Sequence, residues 1–242
     1  MTGYLARLSG DIRRDAPEPT RGFGDALAAG AHVAVIAEVK RSSPSQGAIR
    51  PDADVAATAM RFEDGGASCV SVLCAERDFG GSLDDLRAAR HSITIPTLAK
   101  DFTVFPEQVA RQRLAGADAV LVILAMVSDE EARRLIDTAA LLGMDVLVEA
   151  HDETDIDRAA ALGATLVGVN ARDLDSLQVD RDRQLELLDR LPREVVRIAE
   201  SGIGSRENVI EARDAGADAV LVGTALMRDP ALLPSLVEVE RR

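Results

Sequence analysis

The sequence predicts an α/β protein built as a single, closed (β/α)₈ TIM barrel. Eight short apolar runs, rich in β-branched residues, recur along the chain and are separated by amphipathic segments. The octapeptide AGADAVLV occurs twice, at 115–122 and 215–222, and Gly-Ala pairs begin at 66, 116, 163 and 216. The pairs are about 50 residues apart, the length of two strand–helix units, so the repeat divides the barrel into four quarters.

The eight runs are continuous rather than alternating, as expected of parallel strands that are covered on both faces. They lie at 33–39, 69–74, 97–100, 119–124, 145–150, 166–171, 196–201 and 219–224. The segments between them, for example SDEEARRLIDTAALLG and SRENVIEARDAG, begin at a polar residue and end at glycine, which predicts helices. A doubly wound open sheet is the alternative, but no GxGxxG motif follows the first run.

The first 30 residues do not fit the repeat. They contain Pro17, Pro19 and Gly22 ahead of a short predicted helix, FGDALAAG. We interpret residues 1–30 as an N-terminal extension, either a lid or a plug at the bottom of the barrel, and residues 31–242 as the barrel itself. No linker or low-complexity segment divides the barrel region.

Composition excludes several classes of partner. The 242 residues carry a formal net charge of −13, which argues against nucleic acid or an anionic membrane as a partner. No apolar run approaches the ~20 residues of a membrane span and no signal-peptide core is visible, so a cytoplasmic protein is expected. Cys69 and Cys74 lie an odd number of residues apart, on opposite faces of one strand, and are expected to be reduced core residues. The three histidines and two cysteines form no metal-site pattern, and no cofactor is predicted.

Polar residues follow the ends of the predicted strands, where the active site of such a barrel lies. The four odd-numbered strands end in carboxylates or lysines, at Glu38 and Lys40, Lys100, Glu149, and Glu200 with Ser201. Alternate strands contribute side chains to one layer of the barrel interior, so these groups are expected to share the top layer. The sixth strand and its loop add Asn170 and Arg172.

Lysine is scarce in this chain, which makes its position informative. Lys40 and Lys100 are the only lysines among 28 basic residues. Arginine does not give up its proton, whereas a lysine beside a glutamate in a dry site suits proton transfer near neutral pH.

A phosphate site is predicted from glycine-rich loops. The loops after the seventh and eighth strands, ESGIG and VGTALM, let backbone N–H groups approach an anion, and TALM can begin a short helix. The segment RSSPSQG after the first strand adds serine hydroxyls. These patterns indicate a barrel enzyme that acts on a small phosphorylated molecule by acid–base chemistry.

Eight motifs occur in order along residues 21–230, namely IAEVKRSSPSQG, FGGSLDDL, LAKDF, GADAVLVI, LVEAHDE, GVNARDL, IAESGI and LVGTALM. Together they resemble the indole-3-glycerol phosphate synthase family, the ring-closing carboxy-lyases of tryptophan biosynthesis. The resemblance implies conversion of 1-(2-carboxyphenylamino)-1-deoxyribulose 5-phosphate to indole-3-glycerol phosphate, with loss of carbon dioxide and water.

The resemblance also implies a role for each matching residue. Lys100 would be the general acid and Glu149 the general base or cation stabiliser, while Lys40 would hold the substrate carboxylate and Glu38 assist the leaving hydroxyl. The implied binding residues are Asn170, Arg172, Glu200 and Ser201 for positioning, Phe79 and Leu121 for the aromatic ring, and Ser43, Gly202, Gly223 and Thr224 for phosphate. Gln46 departs from the family pattern, in which lysine is frequent.

Two other hypotheses remain open. A phosphoribosyl-type barrel isomerase would use a Cys/Asp or Asp/Asp pair at the first and the fifth or sixth strands, whereas the first strand here offers Glu-x-Lys. A catalytically silent paralogue would have lost lysines or glutamates of this layer, whereas all of them are present here. The expected partner is a small anionic substrate, and the chain is expected to be a monomer or weak homo-oligomer.

Overall fold

Eight parallel strands close into a barrel in the computed structural model, which describes residues 18–242. Each strand pairs with its sequence neighbours and the first pairs with the last. The strands are β1 (Ala34–Val39), β2 (Cys69–Leu73), β3 (Thr97–Lys100), β4 (Ala119–Ile123), β5 (Asp145–Ala150), β6 (Leu166–Asn170), β7 (Val196–Glu200) and β8 (Ala219–Val222). The predicted (β/α)₈ fold is therefore confirmed.

Helices precede and follow the strands. They are α1 (Phe23–Ala28), α2 (Val55–Asp64), α3 (Glu76–Phe79), α4 (Leu83–Ser92), α5 (Pro106–Leu114), α6 (Asp129–Leu141), α7 (Glu153–Leu162), α8 (Arg181–Arg190), α9 (Arg206–Asp214), α10 (Thr224–Arg228) and α11 (Leu233–Val237). Side-chain caps fix several of their starts, since Asp54, Ser82 and Ser128 each accept a hydrogen bond from a backbone N–H of the first turn.

Strand ends differ from the prediction by a residue or two. Leu124, predicted in the fourth strand, begins a 3₁₀ turn (Leu124–Met126), because the ladder between β4 and β5 ends at the pair Ile123 and Glu149. A short antiparallel hairpin, Ser42–Ser43 with Gly47–Ala48, follows β1 and shapes the serine-rich loop.

The apolar core forms two layers that the strands separate. One layer fills the barrel interior with side chains such as Ile36, Leu98 and Leu147, and the other lies between strands and helices. Cys69 belongs to the inner layer and Cys74 to the outer one, and both thiols are free and buried. The prediction that these cysteines occupy opposite faces is confirmed. Burial on both faces explains why the strands read as continuous apolar runs.

The described part of the N-terminal segment lies across the N-terminal ends of the strands. Phe23 is fully buried in the inner layer, and the backbone N–H of Gly24 donates to Asp145 at the start of β5 (2.9 Å). The N–H of Arg21 donates to Asp118 just before β4 (2.8 Å). These contacts leave the opposite end of the barrel open. Residues 1–17 of the predicted extension lie outside the described residues, and its boundary at residue 30 stays a prediction.

Within residues 18–242, we find no helix with the length and apolar character needed to cross a bilayer.

Candidate active site

A cavity of about 1210 Å³ opens at the C-terminal ends of the strands. All fourteen residues singled out in the sequence border it, although they come from distant parts of the chain. They are Glu38, Lys40, Ser43, Phe79, Lys100, Leu121, Glu149, Asn170, Arg172, Glu200, Ser201, Gly202, Gly223 and Thr224. The cavity is therefore the candidate active site.

Lys100 lies between two buried carboxylates at the floor of the cavity. Its Nζ is 2.8 Å from Oε2 of Glu149 and 2.6 Å from Oε2 of Glu200. The side chains of these glutamates are 1% and 2% exposed, so water screens the contacts weakly. Oε1 of Glu200 is buried against Gly168 and has no hydrogen-bond partner among residues 18–242. The three groups form one cluster from β3, β5 and β7, in the layer that alternate strands share.

Burial and charge pull the pKa values of this cluster in different directions. Burial lowers the pKa of Lys100, but Glu149, Glu200 and Glu38 outweigh it, and the net shift is upward. Burial raises the pKa of Glu149, but Lys100 and His151 outweigh it, and the net shift is downward. Burial and the charge of Glu149 raise the pKa of Glu200 to about 8 in spite of Lys100. Near neutral pH, Lys100 is therefore an ammonium group, Glu149 a carboxylate, and Glu200 mostly protonated.

A second lysine–glutamate pair lies at the end of β1. Nζ of Lys40 is 2.7 Å from Oε1 of Glu38, and the carboxylate is almost completely buried. Residues two apart on a strand share a face, which places both groups over the barrel interior. Gly223 leaves the space for them, since a Cβ at that position would overlap Oε1 of Glu38 and lie 3.0 Å from Nζ of Lys40.

Hydrogen bonds hold the C-terminal end of β6 against Glu149. Asn170 donates through Nδ2 to Oε1 of Glu149 (3.1 Å) and accepts at Oδ1 from the backbone N–H of Arg172 (2.9 Å). The guanidinium of Arg172 donates to the carbonyl of Leu177 (2.7 Å), which fixes the loop after β6. From α8, the buried Gln184 donates to the carbonyls of Val169 and Glu200. Asn170 therefore has a fixed orientation beside Glu149.

One wall of the cavity is apolar. The rings of Phe79 and Phe102 lie with centroids 6.1 Å apart at an angle of 51°, and Leu121 and Ile123 of β4 continue the surface. A tilted aromatic pair beside aliphatic side chains is suited to an aromatic ligand ring. The ammonium and carboxylate groups of the cavity floor thus lie next to a surface that favours an aromatic group.

The opposite side of the cavity is lined by small polar residues. Ser201 and Gly202, directly after β7, both have a positive φ of 66° and 74°. For a serine this conformation costs about 1–3 kcal/mol, and such strain clusters at functional sites. Gly223 and Thr224 at the start of α10 border the same region, and Oγ of the buried Ser43 has no partner among the described residues. The region therefore brings hydroxyl groups and the glycine-rich backbone after β7 and β8 to one side of the cavity.

Gly168 of β6 makes room for the carboxylate of Glu200. A Cβ at this position would overlap Oε1 of Glu200. We expect Gly168→Ala to fold but to displace Glu200 from Lys100, and turnover to fall by ~10²-fold, as for a small misplacement of reacting groups. Steady-state kinetics and a thermal melt measure the two properties. Full activity of Gly168→Ala would contradict this role.

Several residues in or next to the cavity are not predicted as site residues from the sequence. Phe102, Arg181 and Arg228 border the cavity, and His151 contacts Glu149 from behind. A signal for His151 was present, because it follows Glu149 by two residues and therefore shares its face of the strand. Arg181 and Arg228 carried no such signal, since both are arginines of helices in an arginine-rich chain.

Solved structures with similar folds are distant in sequence. A thiamine phosphate pyrophosphorylase from Pyrococcus furiosus aligns with a TM-score of 0.64 and 13% identity, covering 84% of this chain and 93% of that one. An N-acetylmannosamine-6-phosphate 2-epimerase from Clostridium perfringens aligns with a TM-score of 0.62 and 14% identity, covering 83% and 90%. At these identities the likeness shows the barrel fold alone.

Sequence relatives are much closer. The profile of the family described as indole-3-glycerol phosphate synthase matches residues 4–237. An indole-3-glycerol phosphate synthase of Streptomyces griseus is 48% identical over 93% of this chain and 85% of its own length. Another, of Mycolicibacterium vanbaalenii, is 49% identical over 81% of this chain and 72% of its length. The chain therefore belongs to the indole-3-glycerol phosphate synthase family, the carboxy-lyases that close the indole ring in tryptophan biosynthesis.

Proposed function

We propose that the lysine–glutamate layer at the top of the barrel carries out the ring closure, with Lys100 as general acid. Lys100 is suited to this role because its raised pKa keeps a proton on Nζ at neutral pH. Its Nζ lies between Glu149 and Glu200. When the aryl carbon attacks the ketose carbonyl, the developing alkoxide takes this proton and the new carbon–carbon bond forms. Decarboxylation then restores the aromatic ring.

Glu149 is the general base of the later steps in this proposal. Loss of the ketose oxygen as water produces an iminium-like cation, which must lose a proton from carbon to become an indole. Glu149 is suited to both tasks because its lowered pKa keeps it ionised beside Lys100. A carboxylate in a water-poor site stabilises a nearby cation strongly. Asn170 holds its other oxygen and so fixes the direction in which it accepts a proton.

Lys40 and Glu38 act on the two groups that leave the substrate, the carboxylate and the hydroxyl. The ammonium of Lys40 holds the substrate carboxylate before it departs as carbon dioxide, and Glu38 orients or assists the departing hydroxyl. Their short contact supports this, since each fixes the position of the other (2.7 Å). Arg172 and Ser201 position the chain of the substrate, while Phe79 and Leu121 contact its aromatic ring.

The phosphate end of the substrate lies at the opposite side of the cavity. Ser43, Gly202, Gly223 and Thr224 bind it through hydroxyl and backbone N–H donors. This assignment is supported by the positive φ at Gly202 and by the unpaired Oγ of Ser43. A small anionic phosphorylated substrate fits an enzyme that is acidic overall only if local donors attract it, because the net charge of −13 repels anions.

Arg228 adds positive charge at this end. Its guanidinium borders the cavity and donates to Oε1 of Gln46 (2.6 Å), and no carboxylate among the described residues pairs with it. We expect Arg228→Gln to raise KM about tenfold at unchanged kcat, because a hydrogen bond to a charged group contributes about 1.5–3 kcal/mol. Arg61→Gln, on an exposed face of α2 outside the cavity, is the control. A KM equal to that of the control would contradict the assignment.

One assay tests the proposal directly. Pure protein is mixed with 1-(2-carboxyphenylamino)-1-deoxyribulose 5-phosphate, and formation of the fluorescent indole product is followed. Turnover by the pure chain is expected. A folded protein without product would favour the silent paralogue.

A further inference from the structure

The turn after β7 comprises residues 202–204 and borders the cavity on the side of the small polar residues. Gly202 and Gly204 have no side chain, and Ile203 between them is apolar and buried. Glycine has the greatest backbone freedom of all residues, so a turn with two glycines has no fixed shape of its own. Contacts from other elements must therefore fix the direction of its backbone N–H groups.

Arg181, the first residue of α8, connects this turn to α9. Its Nη1 donates to the carbonyl of Gly202 (3.4 Å), and its Nη2 donates to the carbonyl of Asn208 (3.2 Å) and to Oε2 of Glu211 (2.9 Å). Its aliphatic carbons pack on Gly202, because a Cβ at that position would lie 2.9 Å from Cγ of Arg181. One side chain therefore joins the start of α8, the turn and α9.

Two amide side chains complete the support of the turn. Gln184, one helical turn after Arg181, accepts from Nη1 of Arg181 (3.5 Å) and donates to the carbonyl of Glu200 (2.6 Å). Asn208 accepts at Oδ1 from the backbone N–H of Gly204 (3.1 Å). Arg181 thus holds the start of the turn and Asn208 holds its end, while Gln184 fixes the guanidinium relative to β7.

We propose that Arg181 is a positioning residue for the phosphate site, and that its planar guanidinium fixes the turn after β7 in the shape that receives phosphate. In a trans peptide the C=O and N–H groups point in opposite directions, so the bond to the carbonyl of Gly202 also sets the direction of the N–H of Ile203. Donors that are ordered before the ligand arrives bind it more tightly, because little ordering cost remains. The inference rests on the proposed phosphate role of Gly202.

Arg181 acts through the turn and is not itself a phosphate ligand. Both terminal nitrogens of its guanidinium already donate to protein oxygens, and Glu211 offsets its charge. Arg228, in contrast, has no carboxylate partner among residues 18–242. A lysine in place of Arg181 would keep the charge, but its single nitrogen cannot span the acceptors that the guanidinium fork reaches. The proposed role therefore depends on the shape of the side chain and not on its charge alone.

Arg181→Met tests this role, with Arg183→Met as the matched control. Arg183 lies on the same helix, pairs with Glu153 and does not border the cavity. For Arg181→Met we expect KM for the phosphorylated substrate, and the inhibition constant of inorganic phosphate, to rise about tenfold with kcat little changed. Arg183→Met should keep the values of the parent enzyme, because an exposed ion pair contributes little.

Arg181→Lys separates shape from charge, and it serves as the second variant if a thermal melt shows that Arg181→Met folds poorly. It should show the same rise in KM and in the inhibition constant of phosphate. A KM equal to that of the parent in Arg181→Lys or in folded Arg181→Met overturns the proposal, as does a loss confined to kcat. Equal kcat/KM of the parent enzyme for the substrate with and without its phosphate would instead overturn the phosphate assignment of Gly202.

Discussion

Lys100→Met is expected to lower kcat by roughly 10²–10⁴-fold, because a positioned general acid contributes that much to a proton transfer. The substitution also removes the partner of Glu149 and Glu200. Glu149, the ionised member of the pair, then takes up a proton, which avoids an unpaired buried charge and lets the fold survive. Single-turnover fluorescence measures the chemical step, and circular dichroism checks the fold. A kcat within tenfold of the parent enzyme would rule out Lys100 as the acid.

Lys100→Arg separates the charge from the transferable proton. An arginine keeps a cation beside Glu149 and Glu200, so the melting temperature should stay closer to that of the parent than in Lys100→Met. It does not give up its proton under these conditions, so turnover should stay low. Restored turnover in Lys100→Arg would mean that the site needs only the charge.

Glu149→Gln is expected to produce the second large loss, again of roughly 10²–10⁴-fold in kcat. The amide keeps an oxygen for Asn170 but has no charge for the cation and no basic oxygen for the proton. Substrate binding should change little, so the loss appears in kcat rather than in KM. The same fluorescence assay at saturating substrate measures it.

Glu200→Gln is the matched control, because Glu200 is mostly protonated near neutral pH. Its pKa is raised to about 8, so the neutral form dominates below that pH and ionised carboxylate accumulates as pH rises through it. A glutamine resembles the protonated form. At pH 6.5 to 7 we therefore expect a much smaller loss than for Glu149→Gln. Equal losses would show that ionised Glu200 is required, contrary to the assigned protonation.

Most of the fold could be predicted from the sequence, because each strand is covered on both faces. Ile36, Leu98 and Leu147 fill the interior while their neighbours pack against helices, so every strand appears as an apolar run. The layer of charged residues at the C-terminal ends of the strands could also be predicted, because Lys40 and Lys100 are the only lysines and both follow such runs. The order of strands in a parallel barrel then brings them together without further information.

Other parts of the site depend on tertiary contacts that leave no local pattern. Arg228 meets Gln46 across 182 residues of sequence, and nothing near either residue predicts the contact. Ser201 adopts a left-handed backbone conformation that its residue type disfavours, and only the surrounding barrel enforces it. The protonation of Glu200 likewise follows from burial beside Glu149, which a strand pattern does not quantify.

The ion pairs of the two lysines have a consequence for covalent modification. Lysine acylation requires an unprotonated amine, and the only lysine side chains of this chain both border the cavity. Acyl transfer to a lysine side chain of this protein therefore takes place inside the candidate active-site cavity. The contact with Glu149 that keeps Lys100 protonated also makes Lys100 a poor target for acylating reagents, so the amine is shielded from acylation by its own ion pair.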